Sequence, residues 1–186
     1  MTQSQSNLLK AFAGESMARN KYTYYAKRAR QEGYEWIARV FEETADNERA
    51  HAEREFELMR DRVEMTNTYD VQAIGGTPEN LRSAAAGENY EWTSMYPTFE
   101  KEALAEGEKT IATVFKEIGE VEEKHEERYK KLAARLESGR LFKTEDPDAE
   151  WKCLNCGYIH KGKDAPDSCP ACAKPQAYYM QLNFVR

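Results

Sequence analysis

Two short motifs of the form Glu-x-x-His constrain this chain more than any other feature of its sequence. The first runs from Glu48 to His51 and the second from Glu122 to His125, and each lies in the later part of a long helix-like stretch. Residues three apart lie on one face of an α-helix, so each motif offers a carboxylate and an imidazole to the same metal ion. Two such motifs on two helices predict a two-metal site.

The spacing of apolar residues predicts four long helices, separated by glycine-containing stretches. These are helix A from about Ser4 to Gln31, helix B from Tyr34 to about Met65, helix C from an N-cap at Thr77 to about Glu106, and helix D from beyond Gly107 to Ser138. Four helices of this length predict an all-α four-helix bundle, a fold whose core can hold metal ions.

An internal repeat relates the two halves of the predicted bundle. The sequence Ala13-Gly14-Glu15-Ser16 on helix A resembles Ala86-Gly87-Glu88-Asn89 on helix C, and helix B matches helix D at a constant offset of 74. The matched residues are Phe41, Glu43, Glu48 and His51 on B and Phe115, Glu117, Glu122 and His125 on D. A single glutamate is most often a solvated helix residue. Two hairpins that each carry a Glu and a Glu-x-x-His instead contain the ligands of a di-iron carboxylate site.

Glu91 is a further candidate ligand, because it follows Glu88 by three residues and shares its helix face. Two ferrous ions carry four positive charges, which the four glutamates of the repeat match, whereas two ferric ions carry six. A carboxylate that replaces a neutral imidazole on oxidation would stabilise the ferric pair. The alternative is an exposed glutamate on the helix surface.

Two tyrosines are predicted near the same interior face. Tyr22 follows Glu15 by seven residues and Tyr96 follows Glu88 by eight, so both phenols fall close to the helix face that carries the glutamates. We expect these phenols to donate hydrogen bonds to the metal ligands. The alternative is that both are ordinary core tyrosines.

The last part of the chain has a different composition and contains all four cysteines. Lys143 to Asp148 forms a polar linker, and a small domain follows from Trp151 with too little apolar material to fold unaided. Its two Cys-x-x-Cys motifs predict tetrahedral binding of one metal by four thiolates: Cys153, Cys156, Cys169 and Cys172. On spacing alone, such pairs are more common in structural zinc ribbons than in iron sites. His160, the remaining histidine, is expected on the surface.

Composition excludes several classes of function. The net charge of −6 and the absence of a basic stripe argue against nucleic acid binding, which requires clustered Lys and Arg. No run approaches the ~20 apolar residues of a membrane span, and the first residues lack the pattern of a signal peptide. We therefore expect a cytoplasmic protein, in which a reducing environment favours cysteines as metal ligands.

The order of these motifs resembles the rubrerythrin family over nearly the whole chain. A bundle with GES, ERAH, GENYEW and EEKHEERY precedes WKCLNCGYIH and CPACAKP. The resemblance implies a ferritin-like di-iron four-helix bundle over residues 1–140, a linker over residues 141–150 and a rubredoxin-like Fe(SCys)4 domain over residues 151–186.

The resemblance also implies roles for the site residues. The di-iron ligands would be Glu15, Glu48, Glu88, Glu122 and His125, while His51 and Glu91 would exchange at one iron between the reduced and oxidised states. The four cysteines would hold a single iron, which reverses the zinc expectation. Twelve residues separate the two cysteine pairs, fewer than in free-standing rubredoxins, and Ala173 stands where those proteins have glycine. Both departures leave the reduction potential open.

The function that the resemblance implies is the reduction of hydrogen peroxide to water, as a defence against oxidative stress. Each iron of the pair would give one electron, and the phenol of Tyr22 or the ligand carboxylates would supply protons. No dinucleotide fingerprint such as GxGxxG occurs, so electrons must arrive from an external reductase or rubredoxin. The family implies a head-to-tail homodimer, and larger or helix-swapped assemblies stay open.

Two other functions fit the same residues. A ferroxidase or iron-handling protein would use the bundle without needing the four-cysteine domain. A non-catalytic metal or peroxide sensor would hold zinc in the ribbon.

Overall fold

The structure is a computed structural model that describes residues 2–60, 62, 64–68, 72–182 and 184. Its helices are α1 (Gln3–Gln31), α2 (Glu35–Leu58), α3 (Thr77–Tyr90), α4 (Tyr96–Ala105) and α5 (Lys109–Glu137), with a π-helical turn at Glu91–Met95. Helix α1 packs on α2, and α3 and α4 pack on α5, so two helical hairpins form the predicted four-helix bundle. Within the described part of the chain, no helix is both long and apolar enough to cross a membrane.

The second helix ends earlier than the sequence predicts. Helix α2 ends at Leu58, whereas apolar spacing and the lack of Gly or Pro predicted a helix to about Met65. The side-chain amide of Gln5 on α1 takes over the backbone groups at this end: its Nε2 donates to the Leu58 carbonyl at 3.2 Å, and its Oε1 accepts from the Arg60 N–H at 2.6 Å. A tertiary contact therefore caps the helix. Residues 61 and 63 of the predicted helix lie outside the described residues.

The start of α3 differs from the prediction by one residue. The N-cap is Gly76, and Thr77, predicted as the cap, is the first helical residue, with the proline just inside the helix. The hydroxyl and backbone N–H of Thr77 both donate to Oε2 of Glu32, at 2.6 and 2.9 Å. Thr77 thus connects α3 to the end of α1 instead of capping its own helix.

The predicted third helix is interrupted by a π-turn, and the repeat explains why. In the first half Tyr22 follows Glu15 by seven residues, whereas in the second half Tyr96 follows the equivalent Glu88 by eight. The turn Glu91–Met95 accommodates the extra residue, since the Tyr96 N–H bonds to the Glu91 carbonyl five residues back. Both tyrosines therefore face the bundle interior despite their unequal spacing.

Close packing of α4 on α5 depends on a glycine. A Cβ atom at Gly119 would lie 3.2 Å from Cβ of Tyr96, closer than most such contacts. Tyr96 belongs to an apolar cluster with Leu8 and Phe115, while Tyr22 belongs to a second cluster with Phe41 and Tyr129. Each apolar cluster thus supplies one tyrosine to the polar interior described below.

The small domain is a three-stranded antiparallel sheet in the order β2-β1-β3. The strands are β1 (Glu150–Cys153), β2 (Ile159–Lys161) and β3 (Tyr179–Gln181). Trp151 at its centre is fully buried, and its indole N–H donates to the Gly162 carbonyl at 2.9 Å. With so few strands, the sheet depends on this tryptophan for its apolar core.

The small domain packs on the end of its own bundle. The guanidinium of Arg135 on α5 lies 6.0 Å from the ring of Trp36 on α2, 5.8 Å from Trp151 and 5.0 Å from Phe184. The same guanidinium donates to the Arg140 carbonyl at 2.9 Å. Cation–π contacts of a partly buried Arg contribute roughly 0.5–2 kcal/mol, so this residue fastens the domain to the bundle.

The segment predicted as a linker, residues 141–150, is not free of tertiary contacts. Leu141 and Ala149 are buried, and the Thr144 N–H donates to the Lys163 carbonyl at 2.8 Å. The segment therefore runs along the small domain as part of its packing. Its polar composition had suggested a solvated connection.

Candidate metal centres

The bundle interior brings the two predicted hairpin sets together in two overlapping clusters. One contains Glu15, Glu48, His51 and Glu122, and the other contains Glu48, Glu88, Glu122 and His125. Within each cluster, one potential ligand atom per residue lies within 4.8 Å of all the others. Glu48 and Glu122 belong to both clusters. Because a carboxylate has two oxygens, each of these two residues can serve two metal ions at once.

The two histidines point inward, as the paired motifs require. Nδ1 of His51 lies 3.0 Å from Oε2 of Glu48 and 3.0 Å from Oε1 of Glu122. Nδ1 of His125 lies 2.6 Å from Oε2 of Glu122 and 3.4 Å from Oε1 of Glu48. The imidazole rings stack with centroids 6.2 Å apart. Both rings thus turn the same nitrogen toward the shared carboxylates.

Most ligand atoms of the two clusters are buried and have no hydrogen-bond partner among the described residues, although the histidine nitrogens lie only 2.6–3.0 Å from carboxylate oxygens. The atoms concerned are Oε2 of Glu15, both carboxylate oxygens of Glu48, Oε2 of Glu88, both oxygens of Glu122, and Nδ1 of His51 and His125. Leaving a buried polar group unpaired costs roughly 1–3 kcal/mol, and more for a charged group. Metal ions at these positions would satisfy all of them, so the residues fit a two-metal site.

The electrostatics of the site point the same way. Burial raises the pKa of Glu15 and Glu88 well above the usual value, and neighbouring glutamates raise the pKa of Glu88 further. Burial by itself lowers the pKa of His125, but Glu122 and Glu48 outweigh it and raise that pKa to about 9. Without a cation, the cluster therefore retains protons that a divalent metal would displace.

Tyr22 and Tyr96 hold one carboxylate each, across the two halves of the bundle. The phenol of Tyr22 on α1 donates to Oε1 of Glu88 on α3 at 2.6 Å, and the phenol of Tyr96 on α4 donates to Oε1 of Glu15 on α1. Each tyrosine thus contacts the glutamate of the opposite hairpin. These bonds leave the second oxygen of each glutamate directed at the clusters.

Asn47 contacts His125, and the sequence did not predict this contact. Its side-chain amide lies 3.2 Å from Nε2 of His125. The facing atom of Asn47 is Nδ2. A flip of this amide would instead place Oδ1 there to accept from Nε2–H of His125, which is the tautomer whose Nδ1 is free to bind a metal. Asn47 immediately precedes Glu48 and gave no signal of its own in the sequence.

Glu91 lies at the first position of the π-turn, outside both clusters. The structure brings His51, and not Glu91, within reach of Glu15, Glu48 and Glu122. Burial, followed by the charge of Glu122, raises the pKa of Glu91 to about 8. π-Turns are frequent at functional sites because they displace side chains from regular helical positions.

Two buried glutamates outside the repeat were also missed. Glu55 is fully buried, and its Oε1 lies 3.0 Å from the phenol oxygen of Tyr96. Glu126 is buried and accepts a hydrogen bond of 2.6 Å from the indole N–H of Trp92. Glu55 follows Glu48 by seven residues, two turns along the same face, and that spacing is the signal that could have identified it.

The four cysteines form the second candidate centre. Sγ of Cys153 lies 3.7 Å from Sγ of Cys172, and Sγ of Cys156 lies 3.6 Å from Sγ of Cys169. A tetrahedron with metal–sulfur bonds of about 2.3 Å has sulfur–sulfur edges of about 3.8 Å, whereas a disulfide needs about 2.05 Å. The four thiols form no disulfide. Their spacing fits one tetrahedral metal ion.

Both cysteine pairs use the same backbone turn. The Gly157 N–H donates to the Cys153 carbonyl and the Ala173 N–H donates to the Cys169 carbonyl, each at 2.8 Å. Gly157 has φ 82° and Ala173 has φ 58°. Ala173 thus adopts a left-handed conformation that glycine accepts more readily.

Family models match both parts of the chain. A model described as Rubrerythrin matches residues 6–133, and a model described as the rubredoxin-like domain of rubrerythrin matches residues 151–180. The first match contains both candidate clusters of the bundle. The second contains all four cysteines.

Curated relatives align over almost the entire chain. A rubrerythrin of Porphyromonas gingivalis is 50% identical over 98% of this chain and 92% of its own length. A rubrerythrin of Nitratidesulfovibrio vulgaris is 43% identical over 98% of this chain and 96% of its own length.

Solved structures show the same architecture. The fully reduced, all-ferrous state of nigerythrin aligns with a TM-score of 0.67 at 36% identity, over 98% of this chain and 88% of that chain. Dithionite-reduced symerythrin from Cyanophora paradoxa aligns with a TM-score of 0.59 at 22% identity, over 71% of this chain and 86% of that chain. The second likeness supports the fold alone.

Proposed function

The chain belongs to the rubrerythrin family, and from this premise we propose that it is a peroxidase that reduces hydrogen peroxide to water. Membership of the family makes it an oxidoreductase with a di-iron and a rubredoxin-type iron centre. The single observation that carries the proposal is the sharing of Glu48 and Glu122 by two clusters. Two metal ions held this close can deliver two electrons to one peroxide molecule together.

We assign the ligands of the two irons by cluster. Glu15 and His51 would bind one iron, Glu88 and His125 would bind the other, and Glu48 and Glu122 would bridge them. The four carboxylates balance the charge of two ferrous ions. Bound iron would supply the two electrons and would polarise the substrate as a Lewis acid.

The protein's own residues orient the ligands and exclude water. Tyr22 and Tyr96 each fix one oxygen of a ligand carboxylate, which leaves the other oxygen for metal. The phenol of Tyr22, 2.6 Å from Glu88, is a proton donor in position for this half of the site. Burial of the glutamates strengthens each of these interactions, because bulk water does not screen them.

Glu91 and His51 would exchange at one iron when the pair is oxidised. His51 already lies in its cluster, and Glu91 stands beside the site on the π-turn. Replacement of a neutral imidazole by a carboxylate adds one negative charge, which partly balances the two positive charges gained by two irons on oxidation. The irregular turn provides a place where the backbone can adjust.

Cys153, Cys156, Cys169 and Cys172 would hold one iron as a one-electron relay. An external protein would reduce this centre, because no dinucleotide-binding motif occurs in the sequence. Free thiols at this spacing fit a reducing compartment, so we propose a cytoplasmic location. A head-to-tail homodimer would place one chain's relay near the partner's bundle. The contact of Arg135 with Trp151 holds the small domain against its own bundle. Electrons could therefore pass to the bundle of the same chain or to that of the partner.

Anaerobic stopped-flow spectroscopy tests this function. The fully reduced, iron-loaded protein is mixed with hydrogen peroxide or with air-saturated buffer, and oxidation of the two centres is followed separately. We expect the di-iron centre to oxidise much faster with peroxide than with dioxygen, followed by the cysteine-bound iron. Equal rates with both oxidants would defeat the proposal.

A Cys153→Ser variant separates the peroxidase from a ferroxidase. A ferroxidase acts through the bundle alone, so this variant would retain full turnover. The peroxidase would lose turnover with an external electron donor, while its first oxidation by peroxide would remain.

A further inference from the structure

A buried acid stands behind one side of the site. Glu55 lies on α2, one helical turn beyond His51, and its side chain is fully buried. Its Oε1 lies 3.0 Å from the phenol oxygen of Tyr96, and its Oε2 has no hydrogen-bond partner among the described residues. Within the same part of the chain, no Lys or Arg nitrogen lies within 4.0 Å of this carboxyl group. An ionised carboxylate in such a place would be strongly unfavourable.

The hydrogen count at Tyr96 indicates where a proton must reside. The phenol oxygen of Tyr96 is in hydrogen-bond contact with Glu15 and with Glu55. A phenol carries one hydrogen and can donate to only one of two carboxylates. The second contact is a hydrogen bond only if a carboxyl group donates to the phenol oxygen. Glu15 directs its other oxygen into the metal cluster, so the donor is Glu55.

The environment of Glu55 supports this arrangement. Burial raises the pKa of its carboxyl well above the usual value, and the hydrogen bond with Tyr96 and the charge of His51 only partly oppose this effect. Glu35, on the same helix, is buried as well but is bonded to Arg30 at 2.9 Å and Arg39 at 3.1 Å. Glu35 therefore has two cationic partners, whereas Glu55 has none among the described residues.

The other half of the site lacks this acid. The helical repeat with an offset of 74 places Tyr129 at the position equivalent to Glu55. Tyr129 packs against Tyr22 with ring centroids 5.6 Å apart and offers no carboxyl group to it. Tyr22 therefore contacts one carboxyl group, that of Glu88, whereas Tyr96 contacts two, those of Glu15 and Glu55.

We propose that Glu55 is a positioning residue that directs the Tyr96 hydroxyl toward Glu15 and stores a proton for the reduction of peroxide. This inference rests on the proposed peroxidase function. Reduction of one hydrogen peroxide to two waters consumes two electrons, from the iron pair, and two protons. One proton originates at Glu55: its O–H bond breaks, a new O–H bond forms at the Tyr96 oxygen, and the phenol proton passes by way of Glu15 to the reduced oxygen. The second proton comes from the Tyr22 phenol on the other half of the site, and two protons from bulk solvent restore Glu55 and Tyr22 before the next turnover.

Infrared difference spectroscopy of the iron-loaded full chain tests the stored proton without measuring activity. The spectrum of the wild type minus that of Glu55→Gln should show the C=O band of a protonated carboxyl group. The matched control, Glu35→Gln, should leave this band in place because Glu35 is ionised by two arginines. Wild-type protein without such a band, or Glu55→Gln with the band unchanged, would overturn the proposal.

Single-turnover oxidation by peroxide, in H2O and in D2O, tests whether the proton is used. A glutamine can donate its amide hydrogen to Tyr96 but cannot transfer a proton, so Glu55→Gln should oxidise roughly tenfold to a hundredfold more slowly and with a larger solvent isotope effect. Glu55→Asp should recover part of the rate, and Glu35→Gln should match the wild type. A wild-type rate and isotope effect in Glu55→Gln would overturn the proton transfer.

The two proposals fail in different ways. If peroxide oxidises the wild-type iron pair no faster than air does, the peroxidase function fails, while the infrared band still decides whether Glu55 holds a proton. If the wild type reacts rapidly with peroxide and Glu55→Gln reacts equally fast, only the role of Glu55 fails.

Discussion

The two halves of the bundle share their metal-facing side chains and differ at several positions beside them. The first half supplies Glu15, Glu48 and His51, and the second supplies Glu88, Glu122 and His125. Three residues beyond the first glutamate, the first half has Ala18 and the second has Glu91. Four residues beyond the histidine, the first half has Glu55 and the second has Tyr129.

This comparison separates the residues that hold metal from those that distinguish the two metal positions. A perfectly repeated hairpin would give two equivalent irons with equivalent surroundings. Glu91 introduces a carboxylate that only one half provides, and Glu55 introduces a buried acid behind only Tyr96. The shared residues therefore account for binding, and the differing residues account for the proposed chemistry.

The largest expected effect comes from removal of a carboxylate that both halves share. Glu122→Gln should lose both irons of the bundle, because Glu122 belongs to both clusters, and should retain the iron of the four cysteines. Metal analysis together with the thiolate-to-iron absorption measures this loss. Glu120→Gln, an exposed neighbour on the same helix, is the control and should bind the full complement. Retention of both bundle irons by Glu122→Gln would contradict the bridging role.

The sequence predicts the shared residues of the site far better than the differing ones. The motifs ending at His51 and His125 recur at a fixed offset, so their convergence follows from helical geometry. The seven- and eight-residue spacings to Tyr22 and Tyr96 are visible in the sequence, but the π-turn that reconciles them requires the packing of α4 on α5. The seven-residue spacing from Glu48 places Glu55 on the face of the ligands, but its contact with Tyr96 is visible only in the fold.

Helix ends set by distant residues were also beyond the sequence. The residues near Leu58 do not predict the end of α2, because the capping group is the side-chain amide of Gln5 on another helix. In the same way, the polar residues Lys143 to Asp148 predicted a linker, whereas the backbone of Thr144 bonds to Lys163 and Leu141 belongs to the apolar core. Tertiary contacts override local composition in both cases.

A substitution at the π-turn can make the second half of the bundle resemble the first. Glu91→Ala places the counterpart of Ala18 there and removes the carboxylate proposed to stabilise the ferric pair. The reduction potential of the di-iron centre should therefore rise by about 60 mV or more, which is a tenfold change for a one-electron step. Spectroelectrochemical titration measures it, with the cysteine-bound iron as an internal reference. An unchanged potential would show that Glu91 does not bind the oxidised centre.

The third prediction concerns the metal-free protein and its dependence on pH. Burial and the charge of Glu122 raise the pKa of Glu91 to about 8 in the folded state, whereas the unfolded value is near 4.5. The folded state therefore holds this proton more tightly, and its stabilising contribution is present below about pH 4.5 and lost as pH rises through about 8. Each pKa unit corresponds to about 1.4 kcal/mol, so between these limits the wild type should lose up to about 5 kcal/mol more unfolding free energy than Glu91→Ala.

Urea unfolding of the chelator-treated protein across this pH range measures the difference. Glu117→Ala, at an exposed position of α5, is the control and should follow the wild type. Parallel curves for the wild type and Glu91→Ala would mean that Glu91 keeps an ordinary pKa in the fold.

The smallest expected effect lies in the four-cysteine domain, which is itself built from two similar turns. Gly157 and Ala173 occupy equivalent positions after the second cysteine of each pair, and both have positive φ. A left-handed conformation costs a non-glycine residue about 1–2 kcal/mol, and the greater freedom of glycine in the unfolded chain offsets about half of that gain. Ala173→Gly should therefore stabilise the metal-loaded domain by roughly 0.5–1 kcal/mol, and Gly157→Ala should destabilise it by a similar amount. Denaturant unfolding followed by the thiolate-to-iron absorption measures both changes, and destabilisation by Ala173→Gly would show that the alanine methyl group makes contacts worth more than the strain it carries.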